Sequence, residues 1–178
     1  MTITTEVVEG NADAFRRIWR GFGSTVTLIA TELDGQRHAM LATAATSMSM
    51  EPPSLLICVN RSASAYAALV ARGAFSLGIL AYAARDVAGD IGRAKSADRF
   101  AHGDWRTLES AGRATDGLPW LAQTQATLFC VTDQTFDYGT HTGFIARIDR
   151  AVGGTSDDPL LYCDGHYGRY YGGPAKVI

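Results

Sequence analysis

The sequence is poor in features that mark several large protein classes. Its 178 residues include only three cysteines (Cys58, Cys130 and Cys163), which lie far apart and form no Cys-x-x-Cys pair. This odd, scattered set predicts no disulfide framework and favours a reducing, cytoplasmic environment. Five prolines and 19% charged residues exclude collagen-like and disordered chains.

Positive surplus charge and long apolar runs are also missing. Lys and Arg total 16 against 18 Asp and Glu, and this balance disfavours nucleic-acid and anionic-membrane partners. The most apolar region, residues 39–60, is interrupted by Glu51-Pro52-Pro53 and so predicts no membrane span. The first 15 residues lack the basic start and apolar run of a signal peptide. We therefore expect one cytoplasmic domain over residues 1–178.

The motifs of several common enzymes are absent. There is no GxxxxGK[ST], GxGxxG, GxSxG or HExxH, which disfavours kinases, Rossmann dehydrogenases, α/β-hydrolases and zincins. Cys130, His141, Cys163 and His166 offer one closely spaced pair where a structural zinc site usually has two, so no metal site is expected. The apolar neighbours of Cys58 and Cys130 disfavour a reactive thiol.

Hydrophobic periodicity predicts more strands than helices. Apolar residues at helical spacing behind Asn11 predict a helix ending near Phe22. A β-branched run, a turn at Asp34-Gly35 and a second run predict a hairpin of residues 25–31 and 38–48. Further strands are predicted over 54–60, 74–80, 124–132, 141–152 and 159–163, helices over 62–72 (capped by Ser62 or Ser64) and 83–94, and an ordered loop over 96–117. The expected fold is mainly β with short helices, a small closed barrel with the helices packed outside.

Residues 37–66 are the most informative segment, because they combine many Ser, Thr and Ala with few charges. Small side chains let a flat ligand approach the backbone, and hydroxyl and N–H groups can hold a phosphate without lysine. Residues 60–64 then place Arg61 and two serines before a predicted helix, which is a favourable anion site. The same pattern also suits a threonine-rich strand followed by an ordinary capped helix.

Two further candidates lie near the C-terminus. His141 opens a predicted strand beside glycines, where it could contact a ligand or bond locally within a turn. Arg169 stands in a Tyr-Gly-Arg-Tyr segment, where an arginine could bind phosphate bidentately or belong to a disordered tail.

Taken together, these stretches resemble the flavin reductase family, small NAD(P)H:flavin oxidoreductases that serve two-component monooxygenases. The matching segments run in order over about residues 12–171: 26–31, 38–53, 55–60, 62–64, 75–80, 139–141, 143–148 and 159–162. The Ser/Thr-rich run that ends in Glu51-Pro52-Pro53 is the most specific of them.

The resemblance implies an FMN-binding split barrel, a six-stranded Greek-key barrel that works as a homodimer with flavin near the subunit interface. It implies FMN or FAD, NADH or NADPH, and a monooxygenase partner. Flavin contacts are expected at Met40, Leu41, Ala42, Thr43, Ala44, Thr46, Ser47, Cys58, Val59, Asn60, Ser64, Ala65, Arg99 and Phe100, and nicotinamide contacts at His141, Tyr167, Gly168, Arg169 and Tyr170. The cofactors carry the hydride transfer, so no catalytic side chain is expected beyond a positioning role for His141 with Arg169.

Two segments depart from the family pattern. Leu41 stands in Ala-Met-Leu-Ala where the family usually has Gly-Met-Thr-Ala, and Thr140 replaces the carboxylate of Gly-Asp-His. Two other functions remain open at this point. One is a flavin-dependent reductase of a corrin or ferric complex, and the other is a non-enzymatic split-barrel protein that binds flavin or haem.

Overall fold

The computed structural model describes residues 7–153 and 158–171. Within these ranges the helices are α1 (Ala12–Trp19), α2 (Tyr66–Arg72) and α3 (Arg85–Arg93). The strands are β1 (Ser24–Thr25), β2 (Thr27–Leu33), β3 (Gln36–Ala42), β4 (Ala45–Met50), β5 (Pro53–Asn60), β6 (Ala74–Leu80), β7 (Trp105–Thr107), β8 (Pro119–Leu121), β9 (Thr124–Tyr138), β10 (His141–Gly153), β11 (Leu160–Cys163) and β12 (His166–Arg169). The expectations for residues 1–6 and for the full span 1–178 reach outside the described ranges.

One large antiparallel sheet dominates the fold and confirms the mainly-β class. Its strand order is β3-β2-β6-β9-β10-β5-β4, and β1-β11-β12 and β7-β8 form two smaller sheets. The open sheet agrees with the split barrel that the resemblance implies, although it has seven strands where six were expected. The closed barrel predicted from the strand pattern is wrong, because the edge strands β3 and β4 do not pair with each other within the described residues.

The barrel stays open because the chain changes edge between β3 and β4. Strand β3 pairs with β2, whereas β4 pairs with β5. The two residues between them, Thr43 and Ala44, belong to neither ladder, and the Ala44 carbonyl accepts from the Cys58 N–H of β5 at 3.0 Å. The predicted single strand over residues 38–48 is therefore two strands, and the gap between them is here called the split.

Strand β2 is buried on both faces, which explains its continuous apolar run. Ile29 packs inside the curved sheet with Phe75 and Phe144. Leu28 points to the opposite face and packs with Ile91 of α3. Each of these side chains is almost fully buried, and each stabilises the fold by about 1.5–3 kcal/mol through loss of apolar surface from water. The sheet therefore carries a core on each side.

Helix α2 starts later than the sequence predicts. It begins at Tyr66 after Ala65, which makes no side-chain cap bond, so the predicted cap by Ser62 or Ser64 is wrong. Ser62 instead donates its hydroxyl to Asn60 Oδ1 at 2.9 Å. The first residue of the helix is also fixed to the sheet, since the Tyr66 hydroxyl shares a 3.0 Å hydrogen bond with the Thr142 hydroxyl of β10.

Other elements lie close to their predicted positions. Asn11 caps α1 as expected, because its Oδ1 accepts from the backbone N–H groups of Asp13 and Ala14 at 3.1 and 2.9 Å. Strand β9 extends past its predicted end to Tyr138, and the predicted loop over residues 96–117 contains a 3-10 helix (Ser96–Ala101) and β7. Within the described ranges, no helix is both long and apolar enough to cross a bilayer.

Candidate functional site

A cavity of about 320 Å³ opens at the split, between the two edges of the large sheet. Its walls come from the β3–β4 junction, the end of β5, the start of β10 and the β11–β12 hairpin. The lining residues are Val26, Met40, Leu41, Ala42, Thr43, Ala44, Cys58, Asn60, His141, Tyr162 and Tyr167. This set joins residues from five separate parts of the sequence.

The β3–β4 junction supplies backbone donors to the cavity. Because Thr43 and Ala44 lie outside both ladders, their N–H groups meet no acceptor within the described part of the chain. Both residues are exposed, and the small side chain of Ala44 leaves its backbone open to a ligand. Free N–H groups beside a short side chain suit a flat ligand that carries hydrogen-bond acceptors.

Asn60 adds an amide donor at the end of β5. Its Oδ1 is already used, since it accepts from both the N–H and the hydroxyl of Ser62 at 2.9 Å. The side-chain nitrogen of Asn60 has no protein acceptor among the described residues and is left for a ligand. Asn60 pairs across the sheet with His141, so both side chains belong to the same end of the cavity.

His141 is held by the hairpin that joins β9 and β10. Its Nδ1 lies 2.9 Å from the Thr140 hydroxyl, so threonine contacts the ring from the position where the usual family pattern has a carboxylate. This contact leaves Nε2 available to a ligand. Arg61 does not provide the predicted anion site, because it donates to the carbonyl oxygens of Gly139 and His141. It also lies 3.7 Å from Asp137, and so fastens the hairpin to the end of β5.

Two tyrosines form the wall opposite the junction. Tyr162 of β11 and Tyr167 of β12 pair in register, and their rings meet edge to face with centroids 6.0 Å apart. Burial, together with the neighbouring Tyr162, raises the pKa of Tyr167. The Tyr167 hydroxyl therefore remains protonated and can donate a hydrogen bond at neutral pH.

A smaller cavity of about 220 Å³ shares two lining residues, Met40 and Leu41, with the cavity at the split. Ser64 and Arg99 line it, and they bring together a hydroxyl and a guanidinium from distant parts of the chain. Arg99 is partly buried and donates to the carbonyl oxygens of Ala39 and Ala94, which fix its position. This pair is the strongest anion-binding candidate next to the cavity.

Comparison with known proteins identifies what this arrangement is. The model of the flavin reductase like domain matches residues 19–171. The chain belongs to this family.

Curated relatives support the assignment over most of the chain. An FMN reductase (NADH), RutF 2, of Methylorubrum extorquens strain PA1 is 34% identical over 158 residues, covering 88% of each chain. The reductase component of an FADH2-dependent resorcinol hydroxylase from Rhizobium sp. strain MTP-10005 is 34% identical over 162 residues, covering 89% of this chain and 87% of the relative.

A solved structure shares both the fold and the chain length. The NADH:FAD oxidoreductase SgcE6 of Streptomyces globisporus C-1027, in complex with NAD and FAD fragments, superposes with a TM-score of 0.84 at 26% identity. The match covers 96% of this chain and 100% of that chain.

Not every residue expected from the flavin reductase family lies at the cavity. Thr46 and Ser47 of β4 line a separate apolar groove together with Leu77 and Leu128. Val59 and Ala65 are buried in the core. For these positions, the predicted flavin contacts stay predictions.

Phe100 and the C-terminal residues also lie away from the cavity lining. The Phe100 ring packs on Trp105, with centroids 4.4 Å apart. Arg169 is bound by Asp158, whose Oδ1 accepts from Nε at 2.9 Å and which raises the Arg169 pKa. Its guanidinium also lies 5.2 Å from the ring of Tyr82. Of the predicted segment 167–170, Tyr167 alone lines the cavity.

The cysteines differ sharply in environment. Burial raises the pKa of the Cys130 thiol to about 12, so it is no nucleophile at neutral pH. Cys58 lines the cavity, whereas Cys163 is exposed. The described ranges contain no group of three or more His, Cys, Asp or Glu side chains placed to hold a metal ion.

Sequence reasoning missed Tyr162 and the structural role of Arg61. Tyr162 reaches the cavity because β11 pairs with β1 and β12, and its alternation with Leu161 is the signal that could have identified it. Arg61 contacts carbonyl groups about 80 residues away, which no local pattern reveals.

Proposed function

We propose that this protein is an NADH-dependent flavin reductase that supplies reduced flavin to a partner oxygenase. The observation that carries the proposal is the cavity at the split. It brings free backbone N–H groups, Asn60 and His141 together in a chain that belongs to the flavin reductase family. The relatives named above reduce FMN or FAD with NADH, or are named as a reductase component.

The donors in the cavity fit a flavin. An isoalloxazine ring presents carbonyl oxygens and ring nitrogens, and the Thr43 and Ala44 N–H groups and the Asn60 amide supply donors without a charged side chain. Ser64 and Arg99 supply a hydroxyl and a cation for the phosphate at the smaller cavity. When bound, the flavin supplies an N5 atom that accepts a hydride from C4 of NADH, and a proton completes its two-electron reduction.

The protein contributes binding, orientation and electrostatic stabilisation. The N–H groups at the β3–β4 junction stabilise negative charge on the reduced ring, as donors do in an oxyanion hole. His141, fixed through Nδ1 by Thr140, offers Nε2 to the nicotinamide carboxamide. Tyr167 excludes water from the same side and donates from a protonated hydroxyl. No side chain needs to form a covalent bond.

Assembly and partner follow the same proposal. The chain forms a single cytoplasmic flavin reductase domain that works as a homodimer, since the shallow cavity at the split leaves room for a second copy to cover a bound flavin. The oxygenase partner is supported by the relative that is the reductase component of a resorcinol hydroxylase.

A direct assay tests the activity. Purified protein is mixed with NADH and either FMN or FAD, and the loss of NADH absorbance is followed under nitrogen. We expect NADH oxidation that needs both protein and flavin and stops when the flavin is fully reduced. Rates equal to those of flavin and NADH without protein would refute the proposal.

A further inference from the structure

The turn that carries His141 extends beyond the core. Every residue from 133 to 141 is exposed, and Gly139 and Thr140 join the end of β9 to the start of β10. Gly139 has a positive φ of 56°, a conformation that glycine readily adopts in a tight hairpin turn. Because apolar burial contributes little here, the polar contacts of the turn determine where His141 lies.

Arg61 contacts three consecutive carbonyl oxygens of this turn. Its guanidinium donates to the Gly139 and His141 carbonyls, and its backbone N–H donates to the Thr140 carbonyl at 3.0 Å. The Arg61 side chain is 40% exposed, and a free arginine side chain has many rotamers. A partner that fixes the direction of the guanidinium therefore also fixes the turn.

Asp137 is that partner. Its carboxylate lies 3.7 Å from the Arg61 guanidinium, and it accepts the hydroxyl hydrogen of Thr142. Thr142 is only 3% exposed, and it pairs directly with Asp137 across β9 and β10. A buried side chain thus orients the carboxylate that faces Arg61.

Tyr66 adds a contact from the first residue of α2. Its hydroxyl lies 3.0 Å from the Thr142 hydroxyl oxygen. Thr142 has one hydroxyl hydrogen and gives it to Asp137, so Tyr66 is the donor in this contact. Hydrogen bonds that run in one direction polarise and strengthen one another. The Tyr66 ring is itself fixed by Phe144, with centroids 6.2 Å apart at 74°. Tyr66, Thr142, Asp137 and Arg61 are here called the hairpin network.

The hairpin network and the His141 side chain lie on opposite faces of the same strands. Thr142 and Asp137 pair with each other on the face that Phe144 directs into the core. His141 is offset by one residue and lies on the face that lines the cavity with Asn60, since successive residues of a strand point to opposite faces. The network therefore acts on His141 through the backbone of the turn and leaves its Nε2 available to a ligand.

We infer that Tyr66 and Asp137 are positioning residues for His141. Through Thr142 and Arg61 they fix the β9–β10 turn, and so keep the imidazole at the cavity before a substrate arrives. This inference rests on the proposed function, because His141 is there assigned to the nicotinamide. A group that is already ordered loses less entropy on binding, so the network lowers the KM for NADH and leaves kcat nearly unchanged.

Tyr66→Phe and Asp137→Ala test the inference. The first variant removes one hydroxyl and keeps the ring that packs on Phe144, and the second removes the carboxylate. From the usual contribution of one hydrogen bond, at saturating flavin we expect the KM for NADH to rise about twofold in Tyr66→Phe and about threefold in Asp137→Ala. In both variants kcat should be nearly unchanged.

Asp133→Ala is the matched control. Asp133 is an exposed carboxylate of the same strand, and it pairs with Arg147 at 3.3 Å. Its loss should leave the KM for NADH and kcat unchanged. A rise in KM equal to that of Asp137→Ala would overturn the inference, because any lost carboxylate of β9 would then have the same effect.

Double variants with His141→Ala separate positioning from a general weakening of the fold. In the His141→Ala background, Tyr66→Phe and Asp137→Ala should cause no further rise in the KM for NADH, because the residue that they position is gone. A further rise as large as in the wild type would overturn the inference. The flavin Kd should be unchanged in both single variants, and a loss of flavin affinity larger than the rise in KM would assign the network to the flavin instead.

Hydrogen exchange at the Arg61 N–H tests the network without turnover. This N–H donates to the Thr140 carbonyl, so its exchange rate reports how firmly the turn is fixed. We expect faster exchange in Tyr66→Phe and Asp137→Ala, and the wild-type rate in Asp133→Ala. Unchanged exchange in the first two variants would overturn the inference. Faster exchange in these variants, together with a wild type that does not oxidise NADH, would confirm that the network fixes the turn and would refute the proposed function alone.

Discussion

Residues 109–117 and the cavity at the split hold their groups in place by opposite means. In the first region Arg150 donates to the Thr115 hydroxyl at 2.8 Å and to the Glu109 carbonyl at 3.1 Å, and it also pairs with Asp116. Arg113 donates to Asp149 at 2.7 Å. These side chains connect a segment with little regular structure to β10.

In the cavity, hydroxyl and backbone N–H groups hold the side chains in place instead of charge pairs. Thr140 orients His141, and Ser62 orients Asn60. The difference separates stability from ligand binding. Charge pairs fix the loop whether or not a ligand is bound, whereas hydrogen-bond donors without a protein acceptor are available to a ligand. Substitutions in the first region should change stability without changing binding, and substitutions in the second should do the reverse.

The largest expected effect is on stability. Arg150→Met removes several hydrogen bonds between charged groups and leaves Asp116 and Asp149 with fewer partners, so we expect the free energy of unfolding to fall by about 2 kcal/mol. Urea denaturation measures it. Arg147→Met is the matched control, because Arg147 pairs with Asp133 near the surface and should contribute less than about 0.5 kcal/mol. An equal loss of unfolding free energy in the two variants would show that the hydrogen bonds between Arg150 and residues 109–117 stabilise the fold no more than a surface ion pair does.

A larger side chain in the cavity should weaken flavin binding and leave stability unchanged. Ala44→Leu adds a branched side chain where the flavin ring is proposed to approach the backbone, so flavin affinity should fall about tenfold. Ala44 is exposed, and unfolding in urea should be unchanged. Titration of flavin fluorescence gives the Kd, with Ala71→Leu on the exposed side of α2 as control. Unchanged affinity in Ala44→Leu would place the flavin elsewhere.

A smaller effect is expected at His141. Loss of one neutral hydrogen bond in His141→Ala should raise the KM for NADH about fivefold, while the Kd for flavin changes less. Steady-state kinetics and a flavin titration on the same preparation make the comparison. Weaker flavin binding with an unchanged KM would exclude the nicotinamide role.

The most modest effect is a pH dependence of stability confined to the loop network. Backbone N–H groups of Arg113 and Ala111, aided by Arg150, lower the pKa of Asp116 from 3.8 to about 2. A carboxylate with a lowered folded-state pKa stabilises the fold above its ordinary pKa, and this stabilisation is lost as the pH falls toward about 2. Between about pH 5 and about pH 3, wild type should lose more stability than Asp116→Asn. Parallel losses would show that other carboxylates dominate.

Local patterns predicted much of this fold because they report local physics. The Asn11 cap, the apolar run of β2 and the turn at Asp34-Gly35 follow from side-chain chemistry within a few residues. The break at Thr43 was not predictable in this way, since residues on both sides have equal strand character. The choice of β2 or β5 as partner is made by the whole sheet.

In the candidate site too, local sequence predicted some residues correctly, whereas residues with distant partners could not be placed. Residues 40–44 and Asn60 were predicted and line the cavity, because they follow one another along adjoining strands. Arg169 was expected at the same place, but Asp158 and Tyr82 bind its side chain, and these partners lie 11 and 87 residues away in sequence. Long-range competition for one cation is invisible in the sequence around it.

The two-residue junction at the split also limits how wide the cavity can open. Ala42 is the last residue of β3 and Ala45 is the first residue of β4. These two strands lie at opposite edges of the sheet, and only Thr43 and Ala44 separate them. Three Cα–Cα steps span at most about 11 Å when fully extended. The two edges of the sheet are therefore joined covalently at one side of the cavity mouth. This connection leaves room for a planar ring, and thermal motion of the sheet cannot increase the distance between the Ala42 and Ala45 Cα atoms beyond this limit.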